Sequence, residues 1–409
     1  MLRRLLSSLA FLGPAFVASV AYVDPGNVAA NLTAGAEYQY RLLWVLALSS
    51  LIAVVVQYQS AKLGVVTGES LSALVSRHLV GRRAGRLWRG LYALQAMAMA
   101  IATDIAEVIG GALALNLLFG VPLWIGGILV GVVTLLLLEA LRRRGEHAFE
   151  VVVTGVLGLV AVGFMAGLLW APPSASMAVR GLVPDFPDGR SVSLSAAMLG
   201  ATVMPHAIYL HSTLAADRHR PGGRLETPIP QLLRSQRLDV VLALAVAGSV
   251  NIAMLLFAAA ALAGHPATDS IETAHDAIRR AVGAASATIF ALGLLVSGLG
   301  SALVGTHAGA RIMRDLVPWQ VHPKVRRAVT IVPAVLLLTL GLHPTTMLVT
   351  SQLVLSFGIA FALLPLILLT GSRRVMGEFR DSPAMRVLCA VLVALVVGLN
   401  LALIAQSVP

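Results

Sequence analysis

Cysteine and charge are what this sequence has least of. It contains one cysteine, Cys389, and only 12% of its 409 residues are charged. A single cysteine excludes an internal disulfide, a zinc-thiolate site and an iron-sulfur cluster, so a bound metal has to rely on oxygen, imidazole or thioether ligands. An ordinary soluble domain has about 25% charged residues. Because 58% of the residues here are hydrophobic, we predict an integral membrane protein.

Long apolar runs fill most of the chain. A helix needs about 17 to 25 residues to cross the hydrocarbon of a bilayer, and the centres of about eleven such runs lie near residues 20, 55, 105, 130, 160, 203, 250, 295, 333, 358 and 395. These runs leave no room for a soluble domain, so we predict an all-α membrane protein of about eleven transmembrane helices. The sequence has no His-Glu-x-x-His zinc motif and no serine elbow. An intramembrane hydrolase that uses Asp24, Asp104 or His206 is the alternative from another functional class, and it lacks these motifs.

The net charge of +11 reflects membrane topology and does not indicate nucleic-acid binding. When the loops are numbered alternately from the amino terminus, one set holds 24 of the 30 Lys and Arg residues. The other set holds five, and Lys62 lies within the second span. This asymmetry is the positive-inside distribution. It predicts a cytoplasmic amino terminus and, with an odd number of spans, an external carboxyl terminus. We expect this multi-pass protein in a bacterial inner membrane.

Two polar strings interrupt the apolar runs, Asp24-Pro25-Gly26-Asn27 and Met204-Pro205-His206. A carboxylate at mid-membrane costs about 2.5 to 3.5 kcal/mol on insertion scales, so such a residue indicates function. Proline cannot continue the helical hydrogen-bond ladder, which frees carbonyl groups upstream of each string. We therefore predict two broken helices whose interruptions bind a cation.

The two strings are separated by five predicted spans, so the chain divides into two halves of opposite topology. Repeat one covers about residues 8–172, repeat two about 193–370, and an additional span about 384–406. Inverted repeats of this kind place the broken helices 1 and 6 face to face near the bilayer midplane in many secondary transporters.

The ligand types indicate which cation binds. Asp24 and Asn27 offer oxygens, and Met204 offers a thioether. Magnesium and calcium take oxygen ligands alone, whereas a thioether beside oxygens favours a softer transition metal such as Mn²⁺ or Fe²⁺. Methionine is also a common core filler, so packing is the alternative for Met204.

The strings Asp24-Pro25-Gly26-Asn27 and Met204-Pro205-His206 resemble the two signature motifs of the natural-resistance-associated macrophage protein (Nramp) family, proton-coupled importers of divalent transition metals. Further matches are Gly13-Pro14-Ala15, Thr103-Asp104 with Glu107, Gly200-Ala201-Thr202, Asn251, Ser297-Gly298, Gly305-Thr306, Ala308-Gly309, Arg326-Arg327 and Gln352. The resemblance implies a LeuT-like fold and a functional monomer. It also implies a metal site formed by Asp24, Asn27, Met204, Gln352 and the carbonyl groups of Ala21 and Ala201.

Proton coupling needs titratable groups near the metal. Asp104 and Glu107 lie three residues apart and so share one helix face, and His206 follows Met204 by two residues. The resemblance implies a proton relay from Asp24 through Asp104 and Glu107 toward Arg326 and Arg327 in the ninth span.

Three further positions bear on the site and on the proton route. His211 and Asn251 are candidate site residues, and an interhelical hydrogen bond is the alternative role for His211. Met97 stands where some members of the family have an additional acid, which puts that branch of the proton route in doubt.

The sequence therefore predicts an importer of Mn²⁺ and Fe²⁺ driven by protons, with Co²⁺, Cd²⁺ and Zn²⁺ as further candidate ions and no prosthetic group. Its partners are the metal ion and the lipid bilayer. The alternative within the same fold is a carrier of magnesium or a small organic cation.

Overall fold

The structure is a computed structural model that describes residues 13–80, 85–219, 227–262, 270–281, 283–316 and 323–407. Within these ranges the chain is helical and contains no strand. In chain order the helices are α1 (Pro14–Val20), α2 (Pro25–Tyr38), α3 (Leu43–Thr67), α4 (Leu71–Val80), α5 (Gly85–Phe119), α6 (Leu123–Arg144), α7 (Glu146–Trp170), α8 (Ala175–Arg180), α9 (Gly189–Thr202), α10 (Pro205–His219), α11 (Ile229–Ala261), α12 (Ile271–Ala281), α13 (Ala284–Leu316), α14 (Pro323–Thr339), α15 (Pro344–Thr370), α16 (Arg373–Met376) and α17 (Pro383–Ser407).

The long helices match the predicted spans. Among the described residues, nine helical stretches are long and apolar enough to cross a membrane, with α9 and α10 counted together as Gly189–His219. The interrupted pair α1 and α2 and the 17-residue α14 occupy the places of the predicted first and ninth spans. The all-α membrane fold is confirmed, as are the breaks in helices 1 and 6, whereas the count of eleven spans stays a prediction.

The helices differ in the fraction of their residues that is buried, which distinguishes a central layer of helices from a peripheral one. In the apolar stretch of Gly189–His219, 89% of the residues are buried inside the protein, compared with 28% in the stretches of α6, α7 and α17. The other broken segment is enclosed as well, because α2 packs against α9, α11 and α15. The two interrupted helices therefore occupy the centre of the bundle, and the less buried helices surround them.

The last helix, α17, packs against α15 and α9. Its start is anchored to α3 by a buried ion pair, in which Lys62 Nζ lies 2.6 Å from Asp381 Oδ1. Gln59 Nε2 donates to the other oxygen of Asp381 at 2.7 Å. The additional helix is thus attached to the central layer by specific polar contacts.

Candidate metal site

The first break begins where α1 ends at Val20 and a 3₁₀ turn covers Ala21–Val23. Asp24 then has extended backbone, with φ −72° and ψ 169°, and its Oδ1 accepts a 2.7 Å hydrogen bond from the backbone N–H of Asn27. Pro25 is the first residue of α2, a position where the N–H that proline lacks would have no helical partner. Asp24 is the N-cap of α2, so the string that interrupts the first helix also starts its second half.

Asn27 connects the two breaks. Its Nδ2 donates to Asp24 Oδ1 at 2.8 Å and to the backbone carbonyl of Ala201 at 2.9 Å. Ala201 lies one residue before the end of α9. All three residues are fully buried. The structure therefore brings Asp24, Asn27 and Ala201 together in the protein interior.

The second break separates α9, which ends at Thr202, from α10, which begins at Pro205. Val203, with φ −111° and ψ 69°, bonds back to the carbonyl of Leu199 at 2.8 Å. Met204 follows outside either helix, and its side chain is fully buried. The thioether is therefore enclosed in the same interruption that exposes the Ala201 carbonyl to Asn27.

Gln352, on α15, lies between the two breaks. Its side-chain amide occupies the space that a Cβ at position 26 would fill, and its backbone carbonyl lies directly against Gly200. Glycine at these two positions permits that close approach. The structure therefore places Gln352 beside the first break with its side chain and beside the second with its backbone.

Three side-chain oxygens in this region are buried and have no hydrogen-bond partner in the protein: Asp24 Oδ2, Asn27 Oδ1 and Gln352 Oε1. Buried polar groups in proteins are nearly always paired, so each exception calls for an explanation. Among the described residues there is no cluster of three or more His, Cys, Asp or Glu side chains. A cation here would be held by one carboxylate, amide oxygens and carbonyl groups, all from residues buried inside the protein.

The carbonyl groups freed by the first break have partners that the sequence interpretation did not find. Asn251 Nδ2, on α11, donates to the carbonyl of Tyr22 at 2.7 Å and accepts at Oδ1 from Asn31 Nδ2 at 2.8 Å. Ser297, on α13, donates its hydroxyl to the carbonyl of Val23. The structure thus places the candidate residue Asn251 on the backbone of the break. The available signal was the presence of polar side chains at buried positions of apolar helices.

The acids and histidine of the predicted proton relay lie on α5 and α10. His206 Nδ1 and Thr103 Oγ1 are 3.3 Å apart, and Asp104 lies within electrostatic range of the His206 ring. Glu107 is fully buried, and its carboxylate lies against Gly305 of α13, 2.6 Å from where a Cβ would be. The structure therefore brings Asp104 and His206 together and encloses Glu107 between α5 and α13. The side chains of Arg326 and Arg327 lie outside the part of the chain that the structure describes.

Residues 15–406 match the family model described as natural resistance-associated macrophage protein-like. This chain belongs to the Nramp family. It is 53% identical over 376 residues to the "Divalent metal cation transporter MntH" of Mycobacterium tuberculosis (strain ATCC 25618 / H37Rv), an alignment that covers 91% of this Nramp chain and 86% of that relative. It is 41% identical over 401 residues to the protein of the same name from Bacillus subtilis (strain 168), covering 98% and 92%.

A solved structure of an Eremococcus coleocola manganese transporter, in complex with an aromatic bis-isothiourea substituted compound, superposes on the Nramp chain with a TM-score of 0.86. The two are 27% identical, and the match covers 98% of this chain and 87% of that one. The LeuT-like fold and the family resemblance are therefore confirmed. Nramp proteins transport metal ions and are not enzymes, which excludes the hydrolase alternative.

His211 of this Nramp protein is tied to the first break through Gln57 of α3. His211 Nδ1 lies 2.7 Å from Gln57 Oε1, and Gln57 Nε2 donates to the Tyr22 hydroxyl at 2.5 Å. These contacts place His211 next to α3 and the 3₁₀ turn of the first break, on a different set of neighbours from His206. Its contacts are those of a hydrogen-bonding residue that links α10 to α3 and the first break.

Met97 of this Nramp protein is partly buried and packs against the hydrophobic core. The neighbouring Met99 packs its sulfur against Gly358 of α15. Both methionines therefore contribute packing contacts in this chain.

Proposed function

We propose that this Nramp protein imports Mn²⁺ and Fe²⁺ together with protons by alternating access. The observation that carries the proposal is the set of three buried, unpartnered oxygens of Asp24, Asn27 and Gln352 where the two helix breaks meet. Leaving a buried polar atom unpaired costs about 1 to 3 kcal/mol, and one divalent cation would satisfy all three. The printed names of the relatives, a divalent metal cation transporter and a manganese transporter, support the choice of ion.

The proposed ligands are Asp24, Asn27, Met204, Gln352 and the carbonyl oxygens of Ala21 and Ala201. Their oxygens suit any divalent cation of this size, so selectivity depends on Met204. A thioether binds Mn²⁺ or Fe²⁺ more favourably than Mg²⁺ or Ca²⁺, which prefer oxygen alone. Co²⁺, Cd²⁺ and Zn²⁺ are further proposed cargo for the same reason.

The proposed proton route leaves the site along α5. Asp24 and His206 lie at the breaks, Asp104 is within range of His206, and Glu107 continues the helix face. Arg326 and Arg327 on α14 are the proposed end of the route, and α14 packs against α5. Protons and metal would thus share the site and then separate.

Alternating access requires the half-helices to be held at their far ends and released in turn. Arg190, in the first turn of α9, makes two hydrogen bonds of 2.6 and 2.5 Å to Glu37 at the end of α2. At the opposite end, the carboxylate of Asp239 accepts from the backbone N–H groups of Gly13 and Ala15 at 3.2 and 3.0 Å. These contacts hold both ends of the broken helices, and transport would release one end at a time.

We further propose the orientation that the positive-inside distribution indicates, with the Asp239 end cytoplasmic and the Glu37 end outside in a bacterial inner membrane. The proposed repeats span about residues 8–172 and 193–370, followed by the additional helix at about 384–406. Residues 8–12 lie outside the described residues. A single chain contains the whole proposed site, which supports a functional monomer.

Uptake by purified protein in proteoliposomes tests this function. We expect Mn²⁺ influx that accelerates when the external medium is more acidic than the lumen, and accompanying acidification of the lumen. Asp24→Ala should nearly abolish influx, because it removes the only carboxylate among the proposed ligands.

Asp276→Asn is the matched control, since it changes an acid of α12 outside the transport core. It should leave Mn²⁺ influx unchanged. Normal influx through Asp24→Ala would refute the site, and influx of Mg²⁺ in preference to Mn²⁺ would refute the ion assignment.

A further inference from the structure

The last helix, α17, carries one strongly hydrogen-bonding side chain in its apolar interior. Between Val387 and Ala405 that residue is Asn400, and its side chain is 7% exposed. A polar side chain within a membrane span is unfavourable unless it pairs inside the protein. Asn400 therefore indicates a specific contact between this helix and the transport core.

Both ends of the Asn400 side-chain amide bond to a single residue of α15, Ser356. Asn400 Oδ1 accepts from the Ser356 hydroxyl at 2.9 Å, and Asn400 Nδ2 donates to the Ser356 backbone carbonyl at 3.0 Å. The Ser356 hydroxyl has a single proton, which it shares between Asn400 Oδ1 and the carbonyl of Leu353, 2.7 Å away. Two hydrogen bonds from one planar amide restrain both the rotation of α15 about its axis and its sliding along it.

The restrained turn of α15 is the one that touches both helix breaks. Gln352, one helical turn before Ser356, lies against Gly26 with its side chain. A Cβ on Gly200, which precedes Ala201, would lie 2.9 Å from Ser356 N and 3.1 Å from Ser356 Cβ. On the following turn, Gly358 lies against the ring of Pro205, with 3.1 Å between its Cβ position and Pro205 Cγ. A small rotation of α15 would therefore move Gln352 away from the site.

We propose that Asn400 is a positioning residue for metal binding: through Ser356 it sets the rotation of α15 so that Gln352 faces the two helix breaks. The additional helix outside the two repeats then contributes to cation affinity. This inference rests on the proposed function, because Gln352 is a proposed ligand of the transported ion.

The test measures Mn²⁺ uptake in proteoliposomes for Asn400→Leu, which keeps the side-chain size and removes both hydrogen bonds. Residues that orient metal ligands typically change metal affinity by about 10- to 100-fold. We expect the KM for Mn²⁺ to rise within that range with little change in maximal rate. Val396→Ala is the matched control, because it removes a buried side chain from the same helix without breaking a polar contact. It should leave KM unchanged.

A double-mutant cycle distinguishes positioning from a general role in folding. If Asn400 acts through Gln352, adding Asn400→Leu to Gln352→Ala should raise KM by less than about twofold, since coupled residues are not additive. An unchanged KM in the single variant, or the full rise repeated in the Gln352→Ala background, would overturn the inference. Ser356→Ala removes one of the two bonds and gives the same test, with a smaller rise in KM, if Asn400→Leu does not fold.

The proposed function can fail separately. Wild-type protein that takes up no Mn²⁺ would overturn the function, and this inference with it. Wild-type uptake combined with an unaffected Asn400→Leu variant would overturn the inference alone.

Discussion

The two helix breaks hold their backbone in different ways. At the first, the carbonyls of Tyr22 and Val23 accept hydrogen bonds from Asn251 and Ser297, which belong to α11 and α13. At the second, the carbonyl of Ala201 accepts from Asn27, which belongs to the first break. At the first break, side chains of surrounding helices bond the freed carbonyls, whereas at the second the Ala201 carbonyl is bonded by a side chain of the first break.

This difference indicates which part of the site reorganises when a cation binds. The Asn27 amide directs its donor group at both Asp24 and Ala201, and an amide N–H₂ cannot ligate a cation. A cation that contacts both of those oxygens requires the amide to turn its Oδ1 toward them. We therefore expect cation binding to change the side-chain orientation of Asn27 and the hydrogen bonding of the second break. The backbone of the first break should keep its conformation.

The largest effect is expected from Asn27→Ala. This change removes the hydrogen bond that joins the two breaks and one of the three unpaired oxygens. Mn²⁺ uptake in proteoliposomes should be nearly abolished at normal expression. Asn116→Ala, which removes an amide bonded to Val121 beyond the end of α5, is the control and should transport normally. Substantial uptake by the Asn27 variant would show that the second break does not depend on the first.

Removal of the side chains that hold the first break should have the next largest effect. Asn251→Leu and Ser297→Ala each leave a carbonyl of the break without its side-chain partner, and we expect a loss of Mn²⁺ affinity of about 10- to 100-fold, as for residues that orient metal ligands. Affinity can be measured by isothermal titration with Mn²⁺ in detergent. Ser301→Ala is the control, because Ser301 is buried one turn further along α13 and bonds within its own helix. Equal affinities in Ser297→Ala and Ser301→Ala would mean that the first break does not need this support.

The breaks were predictable from sequence because their cause is local. Proline lacks the N–H that continues a helix, so Pro25 and Pro205 mark where the helices stop. The carboxylate and amide side chains beside Pro25 are easy to recognise within an apolar run. Both strings also resemble the signature motifs of the family.

The partners of the breaks were not predictable, because they come from distant parts of the chain. Asn251 is 229 residues from the carbonyl that it holds, and Asn400 belongs to a helix that the repeat pattern treats as an addition. Polar residues in apolar runs identify candidates for such contacts. Which backbone group each one reaches depends on how the helices are rotated against each other, and that rotation is set by packing across the whole bundle.

Met204→Ala should have an intermediate effect that concerns selectivity more than rate. The thioether is the only soft ligand proposed, and oxygens of the first break and Gln352 remain. We expect Mn²⁺ transport to persist while Mg²⁺ and Ca²⁺ compete more effectively, because oxygen-only sites suit those ions. Competition by Mg²⁺ in Mn²⁺ uptake assays measures this. Met198→Ala, which removes a fully buried methionine from α9, is the control. Identical competition in both variants would assign Met204 to packing.

The smallest effect is expected at the far ends of the two broken helices, where Glu37 and Arg190 pair. These side chains are 22% and 66% exposed, and exposed ion pairs contribute about 0 to 1 kcal/mol. Glu37→Gln should therefore reduce Mn²⁺ uptake only slightly, and the reduction should fade in high salt because screening already weakens the pair. Arg41→Gln is the control, since it breaks a longer and more exposed pair of 3.8 Å with Asp185. A severe, salt-independent loss of Mn²⁺ uptake in Glu37→Gln would contradict this expectation. It would show that α2 and α9 are coupled as strongly at this end as at the breaks, where Asn27 joins them.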